Sequence, residues 1–198
     1  MFCVPEAGAL ARGRFQAWGF TVKLLHALAA IILAIAYTAS AQAQSIMHRT
    51  AVAAGEAVPT NGSFSIHFPI AFNDIELRAE DPAAPTLVVR MLSGVNAEGL
   101  RFSATETPLQ SQPPPIDRFM ETAGNRPGAS VSDVTREQRD ESSVLSFSLT
   151  DPKGGSYFRL IRIKATQYML VVQFPEASRN QAAGMKDEFF RSFKMTRP

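Results

Sequence analysis

The residues best suited to acid–base or metal chemistry in this sequence are two histidines, His48 and His67. A neutral imidazole can bind zinc or accept a proton. A zinc site would need both histidines and carboxylates from distant segments, because the only cysteine is Cys3 and the third histidine, His26, lies in an apolar N-terminal stretch. We expect His67 on the outward side of a strand and His48 in a loose segment. Both are therefore interpreted as ordinary polar residues.

Motifs that activate a serine or bind a phosphate are missing from the sequence. It contains no Gly-x-Ser-x-Gly elbow. Gly154-Gly155 lacks the Gly-Lys-Ser/Thr ending of a phosphate loop and precedes a strand, so it predicts a hairpin turn. The carboxylate pairs Asp140-Glu141 and Asp187-Glu188 are adjacent in sequence, so their side chains diverge. The sequence therefore predicts no catalytic residue, no cofactor and no metal site, and we expect that the protein is not an enzyme.

A small basic cluster on one predicted strand is the remaining candidate for binding. Arg159 alternates to the opposite face from Arg162 and Lys164, and Arg136 and Arg139 could extend either patch. We interpret these residues as surface charge balanced by nearby acids. A site for an anionic partner is the alternative.

The first 43 residues have the pattern of an export signal. Arg12, Arg14 and Lys23 precede an apolar run over residues 24–36. A membrane-spanning helix needs about 20 apolar residues, so this run is too short for a stable span. Its length is typical of the apolar region of a signal peptide.

The end of this segment predicts where it is removed. Two small-x-small sequences end at Ala41 and Ala43, and signal cleavage is expected after one of these residues. We therefore predict a signal peptide over residues 1–43 and a mature protein in the periplasm, or secreted. The alternative is an uncleaved segment that anchors the protein in the inner membrane.

The mature part is neutral and cysteine-free. The full chain has 20 Lys+Arg and 18 Asp+Glu, and removal of residues 1–43 takes away three basic residues and one acidic residue, which leaves seventeen of each. A neutral domain without basic runs lacks the electrostatic footprint of a nucleic-acid binder. Cys3 and Trp18, the only residues of their types, are also removed. The mature domain therefore has no disulfide, thiol nucleophile or Cys-ligated zinc.

The mature chain is predicted to start with a flexible arm over residues 44–62, which has no sustained period, and to continue as a single domain over residues 63–196. Alternating or apolar segments predict an antiparallel sheet of about six or seven strands. The seven strand candidates are residues 63–68, 86–92, 100–105, 131–137, 143–149, 156–164 and 167–174, and residues 73–78 are an optional short strand. The last four follow one another closely, as in a meander.

Two amphipathic helices complete the prediction. One spans about Ile116–Ala123 and ends at Gly124 or at the Pro127-Gly128 pair. The second is capped by Ser178 and continues to the C-terminus. Residues 168–174 are apolar on both faces, which is typical of a central strand covered on both sides. We therefore predict an α+β fold with helices packed on both faces of the sheet.

The proline-rich connector Pro108–Pro115 leads into the first helix. Its prolines favour an extended conformation with few backbone donors. We interpret it as a rigid lead-in. A contact with a partner is the alternative, because a stiff exposed segment loses little entropy on docking.

Both ends of the predicted domain resemble a bacterial family of exported PsbP-like domains. The opening strand has the pattern Phe-x-Ile-x-Phe-Pro over Phe64–Pro69, and the closing helix leads into Ser192-Phe193-Lys194. The fold is similar to that of the extrinsic PsbP protein of photosystem II and of a small nuclear factor that binds the Ran GTPase. The resemblance spans about residues 61 to 196 and implies a PsbP-like α/β/α sandwich. It implies no shared catalytic centre and carries over no functional residue.

The sequence supports one expectation about function and leaves another open. Because no catalytic constellation is present, we expect a non-enzymatic exported domain that binds or assists a protein of the cell envelope. The alternative is a small-ligand carrier or an undetected enzyme that uses a pocket between sheet and helix. A cluster of buried polar side chains would favour that alternative.

Overall fold

β-strands make up most of the part of the chain that the structure describes. A computed structural model describes residues 43–80, 87–109 and 113–196. Its strands are β1 Ala43–Val52, β2 Gly55–Ala57, β3 Phe64–Phe68, β4 Phe72–Glu80, β5 Leu87–Val95, β6 Arg101–Pro108, β7 Ser130–Arg139, β8 Ser142–Asp151, β9 Gly154–Ile163, β10 Thr166–Pro175 and β11 Lys194–Met195. Helix α1 spans Asp117–Gly124, helix α2 spans Arg179–Arg191, and a 3-10 turn at Glu176–Ser178 precedes α2.

Some predictions lie outside the described residues. They are the signal peptide up to residue 42, the cleavage site at Ala41 and positions 110–112 of the connector. Ala43 is described by its backbone only, as the first residue of β1.

The strands form two antiparallel sheets. The main sheet has eight strands in the order β1-β4-β5-β6-β10-β9-β8-β7, and the small sheet has the order β11-β3-β2. The prediction of an antiparallel α+β fold is confirmed, with β-structure predominant. The main sheet has eight strands where six or seven were expected, and the opening strand β3 belongs to the small sheet.

Strand β10 lies inside the main sheet, between β6 and β9. Leu170 is 0% exposed on one face and Val171 is 3% exposed on the other. The prediction of a central strand with two apolar faces is therefore confirmed. Apolar cover on both sides makes these positions intolerant of charge.

The two helices pack against opposite faces of the main sheet. The Phe119 ring of α1 lies 5.3 Å from the Phe158 ring, and the Phe189 ring of α2 lies 5.2 Å from the Phe102 ring. Phe158 pairs with Val171 of β10, whereas Phe102 pairs with the adjacent residue Val172. Neighbouring residues of a strand point to opposite faces.

The segment predicted as a loose arm, residues 44–62, forms two strands, and this prediction is corrected. β1 pairs with β4 from Ala43 to Val52, and β2 pairs with β3. Residues 49–54 are exposed on both faces, so they carry no alternation of apolar and polar residues. Backbone pairing with a neighbouring strand holds β1 in place, and such pairing leaves little trace in the sequence. The fold thus begins before Ser63.

The C-terminal segment also differs from the prediction. Helix α2 ends at Arg191, and the chain then turns so that the Phe193 ring stacks on the Phe64 ring, with centroids 5.5 Å apart. Lys194 and Met195 pair with β3. Packing of the partly buried Phe193 ring against Phe64 and Tyr168 replaces continuation of the helix. Ser178 stands at the N-cap of α2, but its hydroxyl donates to the carbonyl of Glu98 rather than capping the helix.

Gly154-Gly155 lies in the β8–β9 hairpin, as predicted. Gly154 has φ 154°, and a Cβ there would lie 2.1 Å from the Phe174 carbonyl oxygen of β10. Only glycine lets the two strands approach so closely.

Candidate functional site

Four side chains from neighbouring strands form a polar row across one face of the main sheet. The polar row consists of Glu76 of β4, Arg90 of β5, Glu106 of β6 and Tyr168 of β10, and each is paired with the next in the sheet register. Directly paired residues share a face, so the four side chains are neighbours. The row lies beneath the small sheet, because the Tyr168 ring packs edge-on against Phe64 at 5.8 Å.

Glu106 is the centre of the polar row and is 6% exposed. Its Oε2 accepts hydrogen bonds from the Ser63 backbone N–H at 2.8 Å and from the Ser63 hydroxyl at 3.1 Å. Its Oε1 accepts one from Arg90 Nη1 at 3.3 Å. The Ser63 Oγ also lies 2.7 Å from the Tyr168 hydroxyl. A carboxylate only accepts hydrogen bonds, so the Ser63 hydroxyl donates to Glu106. The Tyr168 hydroxyl in turn donates to the Ser63 oxygen.

A second buried carboxylate, Asp74 of β4, holds the same loop. Its Oδ2 accepts hydrogen bonds from the Thr60 backbone N–H at 2.9 Å and from the Thr60 hydroxyl at 2.6 Å. The loop itself is a turn, closed by a hydrogen bond from the Gly62 N–H to the Pro59 carbonyl. The two carboxylates thus attach the loop that leads into β3 to the face of the main sheet.

Burial and the nearby Glu106 charge both act on the pKa of Tyr168 in the row. Burial raises the pKa of the Tyr168 hydroxyl, the nearby Glu106 charge adds to this shift, and the hydrogen bond with Ser63 opposes it. Arg90 lies between two carboxylates, with Glu76 Oε2 3.6 Å from its Nε. Within the described chain, that Nε is buried and makes no hydrogen bond. The row is more open at this end, since the Arg90 and Glu76 side chains are 21% and 14% exposed.

The chemistry that the polar row can perform is limited by these bonds. A general base must be free to reach the proton that it abstracts, yet both Glu106 oxygens already accept hydrogen bonds from the chain itself. A raised pKa keeps Tyr168 protonated, and Ser63 is paired with a phenol and a carboxylate rather than with an imidazole. Within the described ranges, no group of three or more metal-binding side chains is close enough to hold an ion.

The two candidate histidines belong to strands of different sheets. His67 is exposed on β3 and pairs with Glu56 of β2, so its predicted outward position is confirmed. The backbone of His48 lies in β1, where it pairs with Glu76 of the polar row. The expectation that His48 lies in a loose segment is corrected by this pairing.

Arg159 and Arg162 lie on opposite faces of β9, as predicted, since they pair with Leu170 and Gln167 of β10. Lys164 was predicted on the same strand, but it lies in the turn after β9. Arg159 lies 3.9 Å from Glu137, and Lys164 lies 3.7 Å from Glu141. The Arg162 guanidinium instead donates to the Pro114 carbonyl at 2.6 Å, which ties the end of the connector to the sheet.

The two further arginines also have acidic neighbours. Arg136 binds Asp117 of α1 at 2.6 Å, and Arg139 lies 3.9 Å from Glu137. Four of the five basic residues therefore lie within 4 Å of an acid, and Arg139 and Arg159 share Glu137. This arrangement favours the interpretation as surface charge with acidic neighbours.

Sequence reasoning did not find the polar row. One signal was present, because Arg90 interrupts the apolar segment 87–92 and Tyr168 falls on an apolar face. The link to Ser63 could not be inferred, since Ser63 is 43 positions from Glu106 and 105 positions from Tyr168.

A scan against protein-family models finds no match to this chain, and a search of curated proteins finds none either. No helix within the described part of the chain is long and apolar enough to cross a membrane.

Proposed function

We propose that this chain is an exported domain of the cell envelope that acts by binding another protein and has no catalytic activity. The observation that carries the proposal is that both oxygens of Glu106, the central acceptor of the polar row, accept hydrogen bonds from the chain itself. Its most buried acceptor, Glu106, is used to fix the loop at Ser63, and Asp74 is used in the same way at Thr60. Buried polar groups that satisfy one another stabilise a fold, whereas catalytic groups must remain available to a substrate.

The finer architecture that we propose is a PsbP-like α/β/α sandwich. It is supported by the packing of α1 and α2 against opposite faces of the main sheet. The resemblance at Phe64–Pro69 and at Ser192–Lys194 supports the same assignment. Export to the periplasm, or secretion, is supported by the basic and apolar pattern before Ala41 and Ala43.

The proposal is tested by crosslinking in cells. The full chain is produced with its own leader and a C-terminal tag, and intact cells are treated with a reversible amine crosslinker. The control is an unrelated domain of similar size behind the same leader. We expect discrete adducts that contain a second protein with the chain and not with the control. A pattern identical to that of the control would overturn the proposal.

One observation favours the alternative, a small-ligand carrier. The buried Arg90 Nε is a donor without a hydrogen-bond acceptor in the described chain, at the more open end of the row. Buried donors are normally satisfied, and a bound anion or water would satisfy this one. Native mass spectrometry of the protein purified from the periplasm distinguishes the two functions. A carrier would retain a small molecule in one-to-one ratio, and Arg90→Lys would weaken its retention.

A further inference from the structure

The turn that leads into β3, residues 59–62, contains two residues that its geometry favours. Asn61 has φ 57°, a left-handed conformation that asparagine adopts more readily than most residues other than glycine. A Cβ on the next residue, Gly62, would lie 2.8 Å from the Pro59 Cβ, which is shorter than a van der Waals contact between carbons. The fold therefore favours the sequence Asn-Gly at this point.

An asparagine followed by a glycine is chemically labile. The backbone nitrogen of the following residue can attack the side-chain amide carbon of the asparagine, and a Cβ on that following residue hinders the attack. Gly62 has no Cβ, and Asn61 is exposed to water. Asparagine is accordingly among the thermolabile residues of proteins. The pair in this turn thus holds the groups needed for a spontaneous modification.

The closed turn holds this reaction back. The Gly62 N–H, whose nitrogen would attack, donates to the Pro59 carbonyl at 2.8 Å. The residues on either side of the Asn-Gly pair are hydrogen-bonded to the carboxylates of Asp74 and Glu106, through two bonds each. These carboxylates are 7% and 6% exposed. The turn can open only when such anchoring bonds break.

We propose that Asn61 is a deamidation site whose rate is controlled by these two carboxylate anchors. When the turn opens, the Gly62 nitrogen forms a bond to Asn61 Cγ. The amide group of the side chain leaves as ammonia with the proton of that nitrogen, and a five-membered succinimide is formed. Water then adds to one of the two imide carbonyls and breaks its C–N bond, which leaves aspartate or isoaspartate at position 61.

The modified turn should not close as before. In isoaspartate the backbone runs through the side-chain carbons, so the chain between Thr60 and Gly62 becomes longer by one atom. Either product also places a new carboxylate in a turn that is held by the carboxylates of Asp74 and Glu106, and like charges repel. Modification should therefore weaken the attachment of the small sheet to the main sheet. This inference is independent of the proposed binding of a partner.

The test follows deamidation in protein purified from cells that produce the full chain. The protein is incubated at mildly alkaline pH, and peptide mapping by mass spectrometry quantifies aspartate and isoaspartate at each asparagine. Asn125 is the matched control, because it is also exposed but is followed by Arg126, whose side chain hinders the attack. We expect Asn61 to be modified faster than Asn125.

Three variants separate opening of the turn from general unfolding. Glu106→Gln and Asp74→Ala each weaken one anchor. Leu160→Val instead destabilises the core, since Leu160 is 0% exposed on β9 and makes no bond to the turn. Circular dichroism and thermal melting of each purified variant check that it folds.

Each anchor variant should raise the rate at Asn61 about tenfold, because weaker anchoring increases the fraction of molecules with an open turn. Leu160→Val should leave that rate close to that of wild type. Equal rates at Asn61 and Asn125, or the same increase in all three variants, would overturn the inference. If both anchor variants fail to fold, Ser63→Ala replaces them, because it removes only the hydroxyl bonds of Ser63. An unchanged rate in that variant would equally reject control by the anchors.

A second measurement tests the effect of the modification on the fold. The modified protein carries an additional negative charge and is separated by anion exchange. Its thermal midpoint should be lower than that of the unmodified protein. Asn61→Gly keeps a residue that accepts positive φ and has no amide, so it should keep the unmodified midpoint throughout the incubation. A modified protein that melts like the unmodified one would show that the turn still closes, and the inference would be wrong.

Discussion

Glu106 illustrates how a buried charge can serve the fold rather than a reaction. A carboxylate removed from water is costly unless each oxygen finds donors. Glu106 receives two hydrogen bonds from Ser63 and one from Arg90. These bonds specify where the loop before β3 sits, and they therefore position the small sheet over the main sheet.

Replacement of Glu106 by Gln should destabilise the protein without changing its fold. The amide cannot accept at both ends, so either Ser63 or Arg90 loses its acceptor. We expect the free energy of unfolding to fall by about 1–3 kcal/mol, measured by urea denaturation. Glu188→Gln, at an exposed position of α2, is the control and should stay within about 0.5 kcal/mol of wild type. Equal stability of the Glu106 variant would reject this role for the carboxylate.

Tyr168 should make the fold sensitive to alkaline pH. Burial raises its pKa in the folded protein, and the usual pKa of an unfolded tyrosine is about 10. The folded state thus holds the phenol proton more tightly, so this contribution is complete below about pH 10 and is lost as the pH rises through the folded pKa.

Tyr168→Phe removes this dependence together with the bond to Ser63. We expect the variant to be less stable at neutral pH but to lose less stability between about pH 9 and 11. Tyr157, whose pKa burial also raises, remains in both proteins, so the comparison isolates Tyr168. If the curves of unfolding free energy against pH are parallel for wild type and variant, the pKa of Tyr168 is the same in the folded and unfolded states, and this prediction is wrong.

At the scale of elements, the sequence predicted those parts whose side chains have a clear periodicity. β8, β9 and β10 alternate or are apolar throughout, and α1 has its apolar residues at helical spacing. β1 has neither pattern, because its backbone is held by β4 while its second half is exposed on both faces. Phe193 fitted the helical period of α2 and nevertheless leaves it to pack on Phe64. The polar row required tertiary contacts that spacing does not contain.

The burial of β10 on both faces predicts equal sensitivity at neighbouring positions. Leu170→Asp and Val171→Asp each place a carboxylate in apolar surroundings, and each should cost several kcal/mol, about 3 or more. Thr135→Asp on the exposed strand β7 is the control and should cost far less. The measurement is the thermal midpoint of each variant. A normal midpoint for either β10 variant would mean that one face of the strand tolerates water.

At the scale of the whole molecule, the near-zero net charge predicted for the mature domain suits the proposed binding of another protein. Net charge close to zero supplies no long-range attraction for nucleic acid. Recognition of the proposed partner would then depend on local surfaces.

The predicted export signal should be removed from the mature protein. Its apolar run is too short for a stable anchor, and small residues follow it at Ala41 and Ala43. Intact-mass spectrometry of periplasmic protein should find Gln42 or Gln44 at the N-terminus. The mature protein should also lack tryptophan fluorescence, because Trp18 precedes both sites. Recovery of the full-length chain only in the membrane fraction would contradict cleavage.

The most direct test of the central claim asks whether partner binding depends on the polar row, and its readout is the yield of the partner adduct that the reversible amine crosslinker gives in cells. Tyr168→Phe removes the hydrogen bond between Tyr168 and Ser63, and Glu188→Gln, at an exposed position of α2, is the control. If the protein works by binding another protein and the row only stabilises the fold, the adduct should persist in both folded variants. Loss of the adduct in the folded Tyr168 variant alone would contradict this and identify the polar row as the functional site.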